Sequence, residues 1–304
     1  MRIARSYRYL ALGGGASLLL LPCSRPAFAA ASAAPFTTAA AAAAAAAAPA
    51  SAALPPLPPL LPASRLHITL YQYEACPFCN KVRAYLDSAR IPYTTVEVEP
   101  MLKSQLSWQA YRKVPLAVIN GRAVADSNAI IDVVEALAAA SPPAPPSARE
   151  AAWRAWTDDA LIKVLTVNLY RSFGDALQTF DYLTQRNFAP YLALPAKYFG
   201  AVAMTAVARK RRSALGVAAG GERAALRGAL EELERGRGGQ PFLGGAAPSR
   251  SDVVAFGALR SVAALPVHAA AMEHAPTAAW WARMEVYVGR SQLQHRVGEP
   301  LSGS

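Results

Sequence analysis

Cys76-Pro77-Phe78-Cys79 sets two thiols three positions apart in a chain whose other cysteine, Cys23, lies far upstream. Three cysteines cannot make a disulfide framework, so the pair calls for a redox or nucleophilic explanation. Pro77 suits the first turn of a helix, where its missing N–H costs nothing, and Val82, Tyr85, Leu86 and Ala89 recur at helical spacing behind it. Cys76 is therefore expected at a helix N-terminus and Cys79 one turn inside, more deeply buried. A free thiol titrates near ~8.5 and attacks only as thiolate; a C-x-x-C motif at a helix start lowers that value to roughly 3.5 to 7.5. Cys76 is the expected catalytic thiol, with Cys79 as its partner and Lys81 adding positive potential. Tyr73 either aims its hydroxyl at the sulfur or a bound oxygen, or packs as a strand-end core tyrosine. Zinc is not expected, because His67, His268, His274 and His295 show no ligand spacing relative to the two thiols.

The elements that must position this motif are short. His67 to Tyr73 alternates and is rich in β-branched and aromatic residues, which predicts a strand. After the thiol helix, Ile91-Pro-Tyr93 turns into a second strand, Thr94 to Val98, and a polar helix is expected from about Lys103 to Tyr111. Leu116 to Ile119 and Arg122 to Ala125 flank Asn120-Gly121, a strong hairpin signal. Ser127 opens a last helix through Ile130, Ile131, Val134 and Leu137. The predicted order is β-α-β-α-β-β-α.

With C-P-F-C between its first strand and first helix, that order resembles the thioredoxin superfamily, and within it the glutaredoxin and glutathione-transferase branch. The resemblance implies that Val114-Pro115 is that branch's cis-proline pair, with the Val114 backbone contacting the glutathione peptide. It also implies that Asp126 and Ser127 hold the γ-glutamyl end of glutathione. Physical chemistry agrees, since free N–H groups and the dipole at a helix N-terminus favour a carboxylate; the simpler alternative is that the two residues only cap the helix.

Ser141-Pro-Pro-Ala-Pro-Pro146 has linker composition. Beyond it Trp153, Trp156, Ala160, Leu161 and Leu165 follow helical spacing and no strand pattern is evident. The fold class is thus an α/β thioredoxin-like domain (65–140), a linker (141–147), and an all-α domain (148–290) that resembles the glutathione-transferase helical domain, followed by a tail (291–304). Ser249-Arg-Ser-Asp252 matches a capping box and opens a buried helix. Tyr198 to Ala208 is apolar and runs into Arg209-Lys-Arg-Arg212. It is too short to span a bilayer, and reads either as a buried helix with a solvated basic end or as an interfacial segment.

The first 73 residues hold five arginines and no acidic residue, against 31 basic and 20 acidic residues in the whole chain. The remainder carries about +6, too mild for nucleic-acid binding to be expected. Residues 1–64 read as a targeting leader and Pro-rich tether. A basic start, an apolar run from Tyr9 to Leu21 and small residues near Ala27 and Ala29 would suit secretion; the long acid-free leader before a reactive C-x-x-C suits an organelle, mitochondrion or plastid. The apolar run could be cleaved or anchor loosely.

Leu70 to Arg83 with its C-P-F-C, Tyr111-Arg-Lys-Val-Pro115, Asp126-Ser127-Asn-Ala-Ile-Ile131 and Asn168-Leu-Tyr-Arg171 together resemble the prostaglandin E synthase 2 family. Phe180-Asp-Tyr182, Ala196-Lys-Tyr198 and Pro241-Phe-Leu-Gly-Gly245 extend the match over about His67 to Gly289. The resemblance implies a membrane-associated homodimer that binds glutathione, and in some forms haem. It also implies a small lipid substrate, the H-type prostaglandin endoperoxide, isomerised to the E-type product. Residue by residue, it makes Cys76 the catalytic thiol, gives Tyr73 the orienting hydroxyl, and assigns Val114, Pro115, Asp126 and Ser127 to glutathione. A glutathione-dependent thiol oxidoreductase or transferase, and a non-catalytic binding protein, are the alternative functions. The short linker departs from the animal enzymes, which carry a longer insertion there.

Overall fold

The computed structural model describes residues 66–100, 102–139, 145–187 and 190–297. The expected leader and tether, most of the linker and the last residues of the expected tail lie outside them. Five strands form one sheet in the order β4-β3-β1-β2-β5. Strand β1 (Ile68–Gln72) runs parallel to β2 (Tyr93–Glu97) and antiparallel to β3 (Leu116–Ile119), which pairs with β4 (Arg122–Ala125). Asn120 and Gly121, both at positive φ, make the hairpin between them. Helices α1 (Pro77–Ser88) and α2 (Ser127–Ala138) pack on this sheet. Leu70, Val82, Leu86, Ile130, Ile131 and Val134 are fully buried in its core.

Two expectations fail here. The polar helix over Lys103 to Tyr111 is a single 3-10 turn, Ser104–Leu106. Lys103 sits in the left-handed region at φ 52, and side chains take over the backbone groups a helix would satisfy. Glu99 accepts from the Leu102 N–H, and the Arg112 guanidinium donates to the Leu102 and Lys103 carbonyls. Further on, the expected tail contains a strand, β5 (Leu293–Arg296), added parallel to the edge of β2. Four residues with no β-branched member carry little strand signal. The pairing comes from the open ladder of β2.

The second half is helical: α3 (Ala148–Trp156), α4 (Ile162–Leu169), α5 (Phe173–Asn187), α6 (Pro190–Ala214), α7 (Glu222–Arg237), α8 (Arg250–Arg260), α9 (Pro266–Met272) and α10 (Ala275–Val288). One π-helical turn, Thr157–Leu161, joins α3 to α4. At the start of α8 the buried Asp252 carboxylate accepts from the N–H groups of Leu243, Gly244 and Ser249, the Ser249 hydroxyl and the Trp280 indole. That satisfies the helix start and fixes the Pro241 to Gly245 turn above it. No helix among the described residues is long and apolar enough to cross a membrane.

The two halves share their packing. Val254 of α8 enters the sheet's core, and Ala84 of α1 enters the core of the helical half. At the crossing stands Gly257, where a Cβ would come 2.6 Å from the Asn80 carbonyl oxygen and 2.7 Å from Lys81 Cα. Only glycine permits so close a backbone approach, and it sets the depth at which the thiol helix lies.

Candidate thiol site

Extended backbone at Cys76 leads into α1, with Pro77 in the first turn, so Cys76 occupies the N-cap position and its thiol stands at the helix start. The loop before it is tied from both sides: the Cys76 N–H donates to the Tyr73 carbonyl, and the Asn80 side-chain amide donates to the carbonyls of Glu74 and Cys76. Cys76 is half-buried and Cys79 fully buried, both as free cysteines. The Cys76 thiol is held below the ordinary cysteine range, first because the Cys79 thiol donates to its sulfur, and then by the N–H groups of Cys79 and Phe78; burial and Glu97 oppose. Burial above all pushes Cys79 well up, and its neighbour's negative sulfur adds to this. The pair is thus one nucleophile with a protonated, donating partner.

Three tyrosines feel the charge of Cys76. Burial, followed by the two cysteines, raises the Tyr73 hydroxyl to about 12, so it stays protonated and can donate. Tyr111 is raised too, by burial and by the charges of Asp126 and Cys76. Tyr170, from the helical half, is raised to about 12 by burial, with Arg211 opposing and Cys76 assisting. Sequence reasoning gave no site role to Tyr111 or Tyr170. Tyr111 lies four residues before Pro115, a spacing that could have flagged it; Tyr170 is distant in sequence and reaches the thiol only through packing.

The Val114-Pro115 peptide is cis, with Val114 half-buried and Pro115 buried. Asp126, at φ 75, caps α2: its Oδ1 accepts from the N–H groups of Asn128 and Ala129 at 2.8 and 3.1 Å. The Ser127 hydroxyl is buried without a hydrogen-bond partner among the described residues. An orphaned hydroxyl beside a helix N-terminus is costly to leave unmet and suits a ligand carboxylate.

The Lys81 ammonium is engaged in the domain junction, 2.5 Å from Asp158 Oδ1 and 3.0 Å from Asn128 Oδ1. Asp158 belongs to the π-helical turn, and its Oδ2 accepts from the Asn128 side-chain amide. Arg154 completes the cluster on the Asn128 carbonyl and on Asp132. These contacts fix the start of α2, where Asp126 and Ser127 sit. A cavity of about 270 Å³ opens beside them, lined by Phe78, Asp158, Ile162, Lys163, Arg211 and Leu215 among others. No cluster of potential metal ligands occurs among the described residues.

A thiol at the start of the first helix, a cis-proline leading into the neighbouring strand β3 and a helical half packed against the sheet domain define a glutathione-transferase-like fold. The family model for the glutathione S-transferase N-terminal domain matches residues 70–142. Prostaglandin E synthase 2 of Danio rerio is 31% identical over 266 residues, covering 72% of this chain and 71% of the relative. The Mus musculus protein of the same name is 30% identical over 287 residues, covering 78% and 74%. The chain belongs to the prostaglandin E synthase 2 family. It is also similar to the solved structure of human glutathione transferase theta-2 in complex with glutathione, at 19% identity and a TM-score of 0.49, covering 73% of this chain and 82% of that one.

Proposed function

We propose that the protein is a glutathione-dependent isomerase that converts an H-type prostaglandin endoperoxide to the E-type product. The observation that carries this reading is the division of labour between the thiols: Cys76 is half-buried and favours the anion, whereas Cys79 is fully buried and held protonated. In this reaction the Cys76 thiolate takes the C–H proton next to one peroxide oxygen. That electron pair becomes the carbonyl π bond, the O–O bond breaks, and the departing oxygen takes a proton from the Tyr73 hydroxyl to become the alcohol. Cys76 then returns its proton to Tyr73, so no oxidant or reductant is consumed. In this reading the apolar body of the lipid lies against Phe78, Ile162 and Leu215 of the neighbouring cavity.

Glutathione in this reading lies along the Val114 backbone, with its γ-glutamyl carboxylate at Ser127 and the N-terminus of α2 and its ammonium facing the uncapped oxygen of Asp126. Haem fits the donor set less well, because the soft donors at the site are the half-buried Cys76 and the fully buried Cys79, while His274 pairs with Thr277 and Glu234 and His268 packs against Trp281. The outer face of α6 supports association with an anionic membrane surface: Leu194, Tyr198, Phe199 and Val202 are exposed, Phe199 at 76%, and Arg209 and Lys210 follow on the same helix. That pattern joins apolar insertion to attraction for acidic headgroups, and corrects the expectation of a buried helix, since only Ala201, Thr205 and Ala208 of the stretch are buried.

A second reading, a glutaredoxin-like oxidoreductase, draws on the contact between the two thiols, which would let Cys79 resolve a mixed disulfide. The deciding experiment gives the full-length protein the endoperoxide and, separately, a glutathione mixed disulfide. Turnover of the endoperoxide supports the isomerase. Turnover of the disulfide alone replaces it with the oxidoreductase.

A further inference from the structure

Strand β5 reaches the thiol loop from the far end of the described chain. Its register pairs Thr95 with Arg296, and the Val297 N–H extends the ladder to the Thr95 carbonyl at 2.8 Å. That register carries the Arg296 guanidinium to Glu74, two residues before Cys76, with Nη1 2.6 Å from Oε2. The other oxygen of Glu74 meets Arg83 Nη1 of α1 at 3.0 Å. The Glu74 main chain is engaged as well. Its N–H donates to Glu97 Oε1 at 2.5 Å, and its carbonyl accepts from Asn80, which also binds the Cys76 carbonyl. Gln72 bridges the Glu74 and Glu97 carboxylates. Apart from the Cys76 N–H bond to the Tyr73 carbonyl, these anchors of the loop that presents Cys76 pass through Glu74 or Asn80, and one of the two cations on Glu74 comes from β5.

We propose that Arg296 is a positioning residue for Cys76, acting through Glu74: it fixes the thiol loop and offsets the negative potential that Glu74 and Glu97 cast on the sulfur. Glu97 already disfavours the Cys76 anion. Without Arg296, Glu74 keeps a single cation and adds to that opposition. The other titratable or charged groups facing Cys76 are Cys79, Tyr73, Tyr111 and Tyr170, with Arg211 behind Tyr170. None of these belongs to β5, and the contact that ties Arg296 to the thiol loop is its ion pair with Glu74.

The inference rests on Cys76 as the reactive thiol of the proposed function, not on the substrate. Its test is the pH dependence of iodoacetamide alkylation of the full-length protein, followed on the Cys76 peptide by mass spectrometry so that Cys23 does not contribute. Arg296→Gln is expected to raise the apparent pKa of Cys76 by about half a unit, the scale of one charge acting over roughly 10 Å at an effective dielectric of about 50. Arg296→Lys is expected to restore most of it. Glu74→Gln alone is expected to lower it, and the Arg296→Gln/Glu74→Gln pair to fall below Arg296→Gln. A profile for folded Arg296→Gln that overlays the parent, or an unchanged or raised value in Glu74→Gln, overturns the proposal. A parent whose Cys76 titrates at or above the free-thiol value instead overturns the activated-thiol reading and leaves the differences among variants to decide this one.

Discussion

Lys81 and Asp158 meet at 2.5 Å across the junction of the two halves, with the lysine side chain fully buried and the aspartate partly open to solvent. Burial lowers the Lys81 ammonium from its ordinary range, and Asp158 opposes that loss of charge. Removing one member of a buried pair leaves the other uncompensated, at roughly 3 to 5 kcal/mol. Asp158→Asn is therefore expected to cost about 3 kcal/mol. Lys81→Met should cost less, because methionine fills the space and the stranded carboxylate still reaches water. Chemical denaturation of both variants checks this, and the reverse order would contradict the burial argument.

Cys76→Ser is expected to abolish turnover of the endoperoxide, and Cys79→Ser to retain a substantial fraction. An isomerase needs one thiolate, whereas a resolving dithiol needs both. The retained fraction should fall short of full activity because Cys79 donates to the Cys76 sulfur. Equal loss in the two variants would refute the isomerase mechanism.

Ser127→Ala separates ligand binding from capping. The Ser127 hydroxyl is buried and unpartnered while Asp126 alone caps α2. Removing an unmet hydroxyl should leave stability unchanged or raise it by about 1 kcal/mol. Glutathione affinity, measured by calorimetric titration, should fall by about tenfold as the carboxylate loses a donor. Lowered stability with unchanged affinity would mean that the hydroxyl serves the helix and not a ligand.

Glu74 should show itself in acid. Burial raises its carboxyl, but Arg83 and Arg296 outweigh that and hold it at about 2, below the usual carboxylate value of 4.5. A carboxyl lowered on folding contributes stability that is present above its unfolded value and lost as pH falls through the folded one. The parent should therefore lose its advantage over Glu74→Gln between about pH 4.5 and pH 2. Denaturation midpoints of the two proteins measured across that window should converge; parallel curves would show that the ion pairs add nothing.

Local chemistry explains what could be read in advance. Pro77 after Cys76, the Asn120-Gly121 turn and the Ser249-Arg-Ser-Asp252 box each specify a backbone geometry within a few residues, and each forms as the sequence suggests. What stayed hidden depends on long-range partners. Lys81 looked like a neighbour of the thiol, yet its direction is set by Asp158, 77 residues on. Tyr170, just after α4, comes within the electrostatic reach of Cys76 through the packing of the helical half. Strand β5 has no sequence pattern of its own, since an edge of β2 makes it a strand. The residues proposed for glutathione were named from a resemblance, while the cap formed by Asp126 and the orphaned Ser127 hydroxyl required coordinates.

Gly257 has a consequence for how this molecule comes apart. With the backbones of α1 and α8 in contact there, and Val254 and Ala84 exchanged between the cores, the boundary between the halves is no plane of weakness. Neither half keeps a closed apolar surface when the other is withdrawn, so the two should melt in one transition and a chain nicked between them should stay together as a tight two-fragment complex.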